Sequence, residues 1–108
     1  MKKLNTLLAA LGIPYAYDHF AEGEAPEPPF ICYLLPGSHN MGADGGVYYK
    51  ISQIHIELYT DRKDPALEHR LEVELDKHGI FYNKSEVWIE SERLYEVLYQ
   101  FEQEVSYE

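Results

Sequence analysis

His55 and Glu57 stand two apart in the run QIHIEL, a spacing that puts both on one face of a strand and raises the question of a metal or acid-base site. Zinc needs three or four converging ligands with close spacing. This chain has neither HxxxH on a helix nor a second cysteine, so His19, His39, His55, His69 and His78 are read as surface or partly buried histidines. Gly37, Gly42, Gly45 and Gly46 do not make a phosphate cradle, because no Lys-Ser/Thr follows and the local charge is acidic. Asp44 lacks the alternating acidic ligands and closing Glu of a calcium loop. Glu86, Glu90, Glu92 and Glu96 contain carboxylate pairs of the kind glycoside hydrolysis uses, but with nineteen acids in the chain such pairs arise freely. Ser38 precedes His39 without an orienting partner or an oxyanion site. Cys32, inside FICYLL, has no basic neighbour in sequence to lower its pKa and is read as a buried structural thiol. No set of residues supplies nucleophile, base and charge stabiliser together. The expectation is a non-enzymatic protein with no catalytic residues, no metal and no cofactor.

The elements that must hold these side chains fit one domain spanning 1–108, since 108 residues can bury only a modest core. A single cysteine excludes an internal disulfide and points to a reducing compartment. The formal charge is -10, and no basic cluster exceeds Lys2-Lys3, which argues against a nucleic-acid-binding face. MKKLNTLLAALGIP has too short an apolar core for a signal peptide, and no run reaches the roughly 18 apolar residues of a membrane span.

Leu4, Leu7, Leu8 and Leu11 follow helical spacing, with Gly12 and Pro14 as stop signals. YAYDHF (15–20) reads as a strand, and the acidic, proline-rich stretch 21–29 as a mobile connector. FICYLL (30–35) reads as a strand buried on both faces, and the glycine-rich stretch 36–46 as a mobile loop joining it antiparallel to the next strand. Asp64 and Pro65 start a second helix, with Leu67, Leu71 and Leu75 on one stripe and Gly79 past its end. Residues 80–90 return to strand character. Residues 94–105 fit helix or strand, and their aromatic and β-branched content favours strand. The expected fold is α+β: a single mainly antiparallel sheet of about five strands with two helices on one face, in the order α-β-β-β-α-β-β. Two helices cover only one face, so some of the ten tyrosines are expected on the other, available to a partner.

VYYKISQIHIELYT (47–60) changes rhythm. Val47, Tyr49 and Ile51 share one parity, whereas Ile54, Ile56 and Leu58 share the other. A bulge at Ser52-Gln53 would restore one buried face. Alternatively Ile54, Ile56 and Leu58 pack under the helices while the earlier residues extend as a hairpin arm.

The succession PPFICYLLPGSHNMGADGGVYYKISQIHIELYTDRKDPALEHRLEVEL, followed by IFYNKSEVWIESERLYEVLYQFE, resembles small proteins from the head-tail assembly region of tailed phages and prophages of Gram-positive bacteria. These are the tail terminator, or tail-completion, proteins between the head-closure proteins and the major tail protein. The resemblance covers nearly the whole chain, through ADG before a strand, IELYT with a following KDP, and EVWIESERLYEV. It implies an α+β subunit assembling as a ring, of six copies, at the end of the tail tube. Its partners would be other copies of itself, the major tail protein, and a head-closure or connector protein. DNA would pass through an acidic lumen without sequence-specific binding, and no membrane is involved. The implied location is the virion neck or tail end, with the host cytoplasm during assembly. Asn40, Met41, Gly42, Ala43, Asp44 and Gly45 become a candidate assembly loop that orders on contact. The ring reading favours the arm, with Val47, Tyr48, Tyr49, Lys50 and Ile51 at the subunit contact. Two alternatives stand beside it. One is another neck position, head-closure or minor capsid. The other is a small host-type ligand-binding or regulatory domain, which requires a concave pocket with convergent polar groups.

Overall fold

Two short leucine-bearing helices lie on one face of a five-stranded sheet, in the expected order. The computed structural model describes residues 2–43 and 47–104, with side chains over 3–38 and 50–104. Helix α1 is Lys2–Ala9, β1 Tyr15–Tyr17, β2 Phe30–Ala43, β3 Val47–Thr60, α2 Pro65–Lys77, β4 Asn83–Ile89 and β5 Leu94–Glu104. The strand order is β1-β2-β3-β5-β4. All neighbours pair antiparallel except β1 with β2, which is parallel, so the sheet is mixed but mainly antiparallel. Residues 94–104 are strand, as their composition favours.

Each helix ends where local chemistry stops it. Asp64 caps α2 by accepting the Leu67 backbone N–H at 3.1 Å, and Pro65 occupies the first turn, where its missing N–H costs nothing. At the other end Gly79 takes φ +66° and donates to the Asp76 carbonyl, while the Ile80 N–H reaches the Leu75 carbonyl. That pair of bonds satisfies carbonyls the helix cannot, and the left-handed turn is open to glycine without strain. Arg70 of α2 donates to the Leu11 carbonyl at 2.8 Å, tying the two helices together at the end of α1.

The core lies between helices and sheet. Leu4, Leu7, Leu8 and Leu11 meet Leu67, Leu71 and Leu75 above Ile31, Ile54, Ile56, Leu58, Val97, Tyr99 and Phe101, all buried. In β3 the even positions face this core without interruption, from buried Ser52 to buried Thr60. No bulge interrupts β3 at Ser52-Gln53: its ladder with β5 runs unbroken from Ile51↔Glu104 to Thr60↔Tyr95. The irregularity is on the partner strand, where Leu35 and Pro36 of β2 stand opposite Ile54 between Leu34↔His55 and Gly37↔Gln53. The Leu35 N–H at this bulge donates to the Tyr17 hydroxyl at 3.2 Å.

The loop expected over 36–46 is corrected through Ala43. Residues 36–43 continue β2 and pair with β3 as far as Ala43↔Val47. Ladder formation with β3 overrides the low strand preference of Gly37 and Gly42, and Pro36 is accommodated at the bulge. Asn40, Met41, Gly42 and Ala43 of the candidate assembly loop are therefore strand residues; Asp44 and Gly45 lie outside the described residues. Residues 21–29 carry neither helix nor strand.

Candidate functional site

The β2–β3 hairpin outruns the rest of its sheet. Each strand has fourteen residues, a reach of about 46 Å at roughly 3.3 Å per residue, nearly the full 51 Å length of the molecule. Among the described residues β5 accompanies β3 only from Ile51, and β1 accompanies β2 only over Ile31–Tyr33. The four rungs from Asn40↔Lys50 to Ala43↔Val47 therefore form a two-stranded arm projecting about 14 Å. Val47, Tyr48, Tyr49 and Lys50 are all on it, and Ile51 sits at its root. Lys50 is exposed and Ile51 half-buried, so neither belongs to the buried core. The parity change in the sequence marks this boundary: the odd-numbered apolar positions belong to the arm and its root, the even-numbered ones to the body.

The arm is also electrically distinct. Of nineteen acidic residues, only Asp44 falls between Glu27 and Glu57, although the whole chain carries -10.

The sheet face away from the helices brings several sequence-flagged residues together. Phe30, Tyr59, Glu96 and Val87 form one row across four strands; Cys32, Glu57, Leu98 and Ser85 form the next; Leu34, His55, Gln100 and Asn83 the third. His55 and Glu57 share this face as their spacing requires. The Tyr59 hydroxyl, stacked beneath Phe30, lies 3.2 Å from both Glu57 Oε1 and Glu96 Oε2, one donor between two carboxylates. Burial, then the Glu96 charge, raises the pKa of Glu57 against the lowering effect of the Tyr59 hydrogen bond. Tyr59 is itself pushed well above the ordinary phenol range by burial and by both carboxylates. The Cys32 thiol is raised to about 11 by burial, then by Glu57, Asp18 and Glu96, so it stays protonated and unreactive at neutral pH. This cluster can hold a proton; it presents no activated nucleophile. Among the described residues no group of three or more His, Cys, Asp or Glu is placed to hold a metal ion.

The remaining flagged carboxylates go elsewhere. Glu86 pairs with Lys63 on the helix side, and Glu90 accepts the Trp88 indole N–H. Glu92 is exposed in the turn before β5. Ser38 and His39 are successive residues of β2, positions that alternate between faces.

Sequence reasoning missed the polar network under α2. Glu68, 3% exposed, accepts Lys63 at 2.7 Å and Lys84 at 2.9 Å; Lys84 also reaches Glu72 at 2.7 Å, and Glu72 accepts the Tyr99 hydroxyl at 2.7 Å. Burial alone would raise the pKa of Glu68, but the hydrogen bonds and charges of the two lysines outweigh it and the net direction is down. The signal was present: Glu68 and Glu72 are four apart beside the leucine stripe, and Lys84 and Glu86 alternate along β4.

The tyrosines are placed differently from expectation. By register Tyr15, Tyr17, Tyr33, Tyr95 and Tyr99 lie on the helix side, with Tyr82 packed against Tyr99, and only Tyr59 is on the other face among the tyrosines whose side chains are described. Gln53, His55, Phe81, Asn83 and Gln100 border an open depression of about 470 Å³.

No protein-family model matches this chain, and no curated protein matches it. Among the described residues no helix is long and apolar enough to cross a membrane.

Proposed function

We propose that the chain is a non-enzymatic structural protein of a phage or prophage virion, which terminates the tail tube or joins tail to head by assembling as a ring around the DNA channel. The observation that carries this reading is the arm. A two-stranded ribbon with no third strand beside it is marginally stable in water, and among the described residues Asn40–Ala43 with Val47–Lys50 is such a ribbon. A neighbour that covers it supplies the missing contacts. A ring of six would place the major tail protein on one side and a head-closure or connector protein on the other, in the neck or tail end of the virion. The charge of -10 suits a lumen through which DNA passes without adhering.

Electron microscopy of the purified chain, alone and mixed with tail tubes or with head connectors, tests this. Rings, or caps on the tube ends, are expected. Binding to connectors alone moves the protein to the head-closure position, and a monomer that joins neither refutes the reading. The depression beside Gln53, His55, Asn83 and Gln100 supports a second reading, a small ligand-binding domain. A raised unfolding temperature with a polar metabolite, in a chain that never assembles, would favour it.

A further inference from the structure

Among the described residues the sheet has an open edge at each end. On one side β1 is three residues long, so the outer edge of β2 runs uncovered from Pro36 to Ala43 among the described residues. On the other side β4 is the last strand, and no described strand pairs with its outer edge over Asn83–Ile89. Exposed edges pair readily with other chains, and proteins commonly blunt them. The second edge is mixed: Asn83, Lys84, Ser85 and Glu86 are polar, whereas its far end and the residue before it expose apolar side chains. Of the five large hydrophobic residues exposed among those described, three cluster on it or just before it: Phe81 at 90%, Val87 at 52% and Trp88 at 39% exposed. Neither helix covers Phe81 or Val87, and the inner ends of β4 are already fixed by Lys84 and Glu86 to α2 and Lys63.

We propose that β4 is the docking strand for the arm of a second copy: the outer edge of β2, over residues 36–43, adds beside β4 of the next subunit and continues the sheet from one copy to the next. The inference rests on the self-assembly proposed above and names its contact. The lengths agree, eight residues against seven. The charges agree as well, because residues 36–43 contain no ionisable side chain except His39, so the arm can approach a chain of net charge -10 without like-charge repulsion. Within a subunit β2 and β4 run in opposite directions, since three antiparallel steps separate them. A ring operator that carries strand direction forward therefore makes the new pair antiparallel. Because the two edges are different, the contact is heterologous and generates a ring when the rotation closes. The arm projects beyond the body, so neighbouring copies are offset along the strands, and strand tilt absorbs that offset as it does in barrels.

The test uses two populations of the full chain, each with Cys32→Ala. One carries Gly37→Cys, and the other Ser85→Cys, Val87→Cys or Ile89→Cys. Gly37 and these β4 positions share the sheet face away from the helices, so one pairing is expected to form an intermolecular disulfide on oxidation in the presence of tail tubes. Ser38→Cys, on the opposite face, is expected to stay reduced against all three. In parallel, Phe81→Lys with Val87→Lys should weaken self-association about tenfold or more while leaving the unfolding temperature unchanged. Cysteine-bearing chains that assemble without forming any of these disulfides, and doubly substituted chains that assemble as well as wild type, overturn the β4 contact while leaving the ring reading intact. Disulfides from β4 to a tail-tube subunit, with none between copies, overturn it in favour of a different partner. Wild-type chains that never assemble overturn both.

Discussion

Strands β2 and β3 lie side by side for fourteen residues each, yet the two halves of this hairpin stand in different surroundings. In the body, Ile31 of β2 and Ile54, Ile56 and Leu58 of β3 are at most 1% exposed under two helices, and β5 closes the far side of β3. In the arm, the same two strands have only each other among the described residues. The body half is stabilised by its own chain. The arm half has no such support among the described residues, and the proposed assembly rests on that difference.

The comparison can be pressed hardest in the body. Leu58→Ala removes a fully buried side chain from the centre of the core and is expected to cost about 3 kcal/mol, read by urea unfolding. A cost under about 1 kcal/mol would mean the core is not organised around β3.

Glu68→Gln comes next. It leaves Lys63 and Lys84 without their shared carboxylate, but both lysines are partly exposed and can rehydrate, so a loss of about 1–2 kcal/mol at neutral pH is expected. Because the folded-state pKa of Glu68 is depressed, its contribution is present above the ordinary carboxylate range and fades as pH falls through the depressed value. The difference between wild type and variant should therefore shrink in acid.

Replacing residues 40–50 by Asn-Gly, which leaves His39 opposite Ile51 and keeps the body half of both strands in register, should change stability by less than about 1 kcal/mol, since a two-stranded ribbon contributes little. Hydrogen exchange should report the same contrast in the free chain, with arm amides exchanging before those of β3 between Ile54 and Leu58.

Glu57→Gln should have the smallest effect and the opposite sign. Its raised folded-state pKa means the fold favours the protonated form, a contribution present at low pH and lost as pH rises through the raised value. Removing the charge is expected to stabilise by less than about 1 kcal/mol near neutral pH, with no gain below the ordinary carboxylate range. A loss at neutral pH would show that Tyr59 needs the ionised acceptor.

Much of this was legible in the residues. Leucine spacing located both helices, and Asp64, Pro65 and Gly79 marked the ends of the second. The order of all seven elements followed from alternation and turn chemistry. The far half of β2 was not legible, because Pro36, Gly37 and Gly42 carry the local chemistry of a loop and only the pairing with β3 makes them strand. The parity change was visible with two causes open to it: the bulge at Ser52-Gln53 does not occur, because β3 is regular and the extra residue is on β2 opposite Ile54, whereas the change does coincide with the boundary between arm and body. Tyrosine content pointed to an exposed aromatic face, whereas the fold puts most of the described tyrosines on the helix side, where Tyr99 is fully buried with its hydroxyl on Glu72. The candidate contact at 47–51 was legible as a hairpin arm; the length of that arm, and its continuation along β2 to Ala43, needed the register.

The most direct measurement is electron microscopy of tail tubes incubated with the full chain and, separately, with the chain whose residues 40–50 are replaced by Asn-Gly. Rings on the tube ends with the full chain, and bare ends with the shortened one despite its intact fold, are the predicted result. Rings formed equally well without the arm, or bare ends with both chains, would contradict the account.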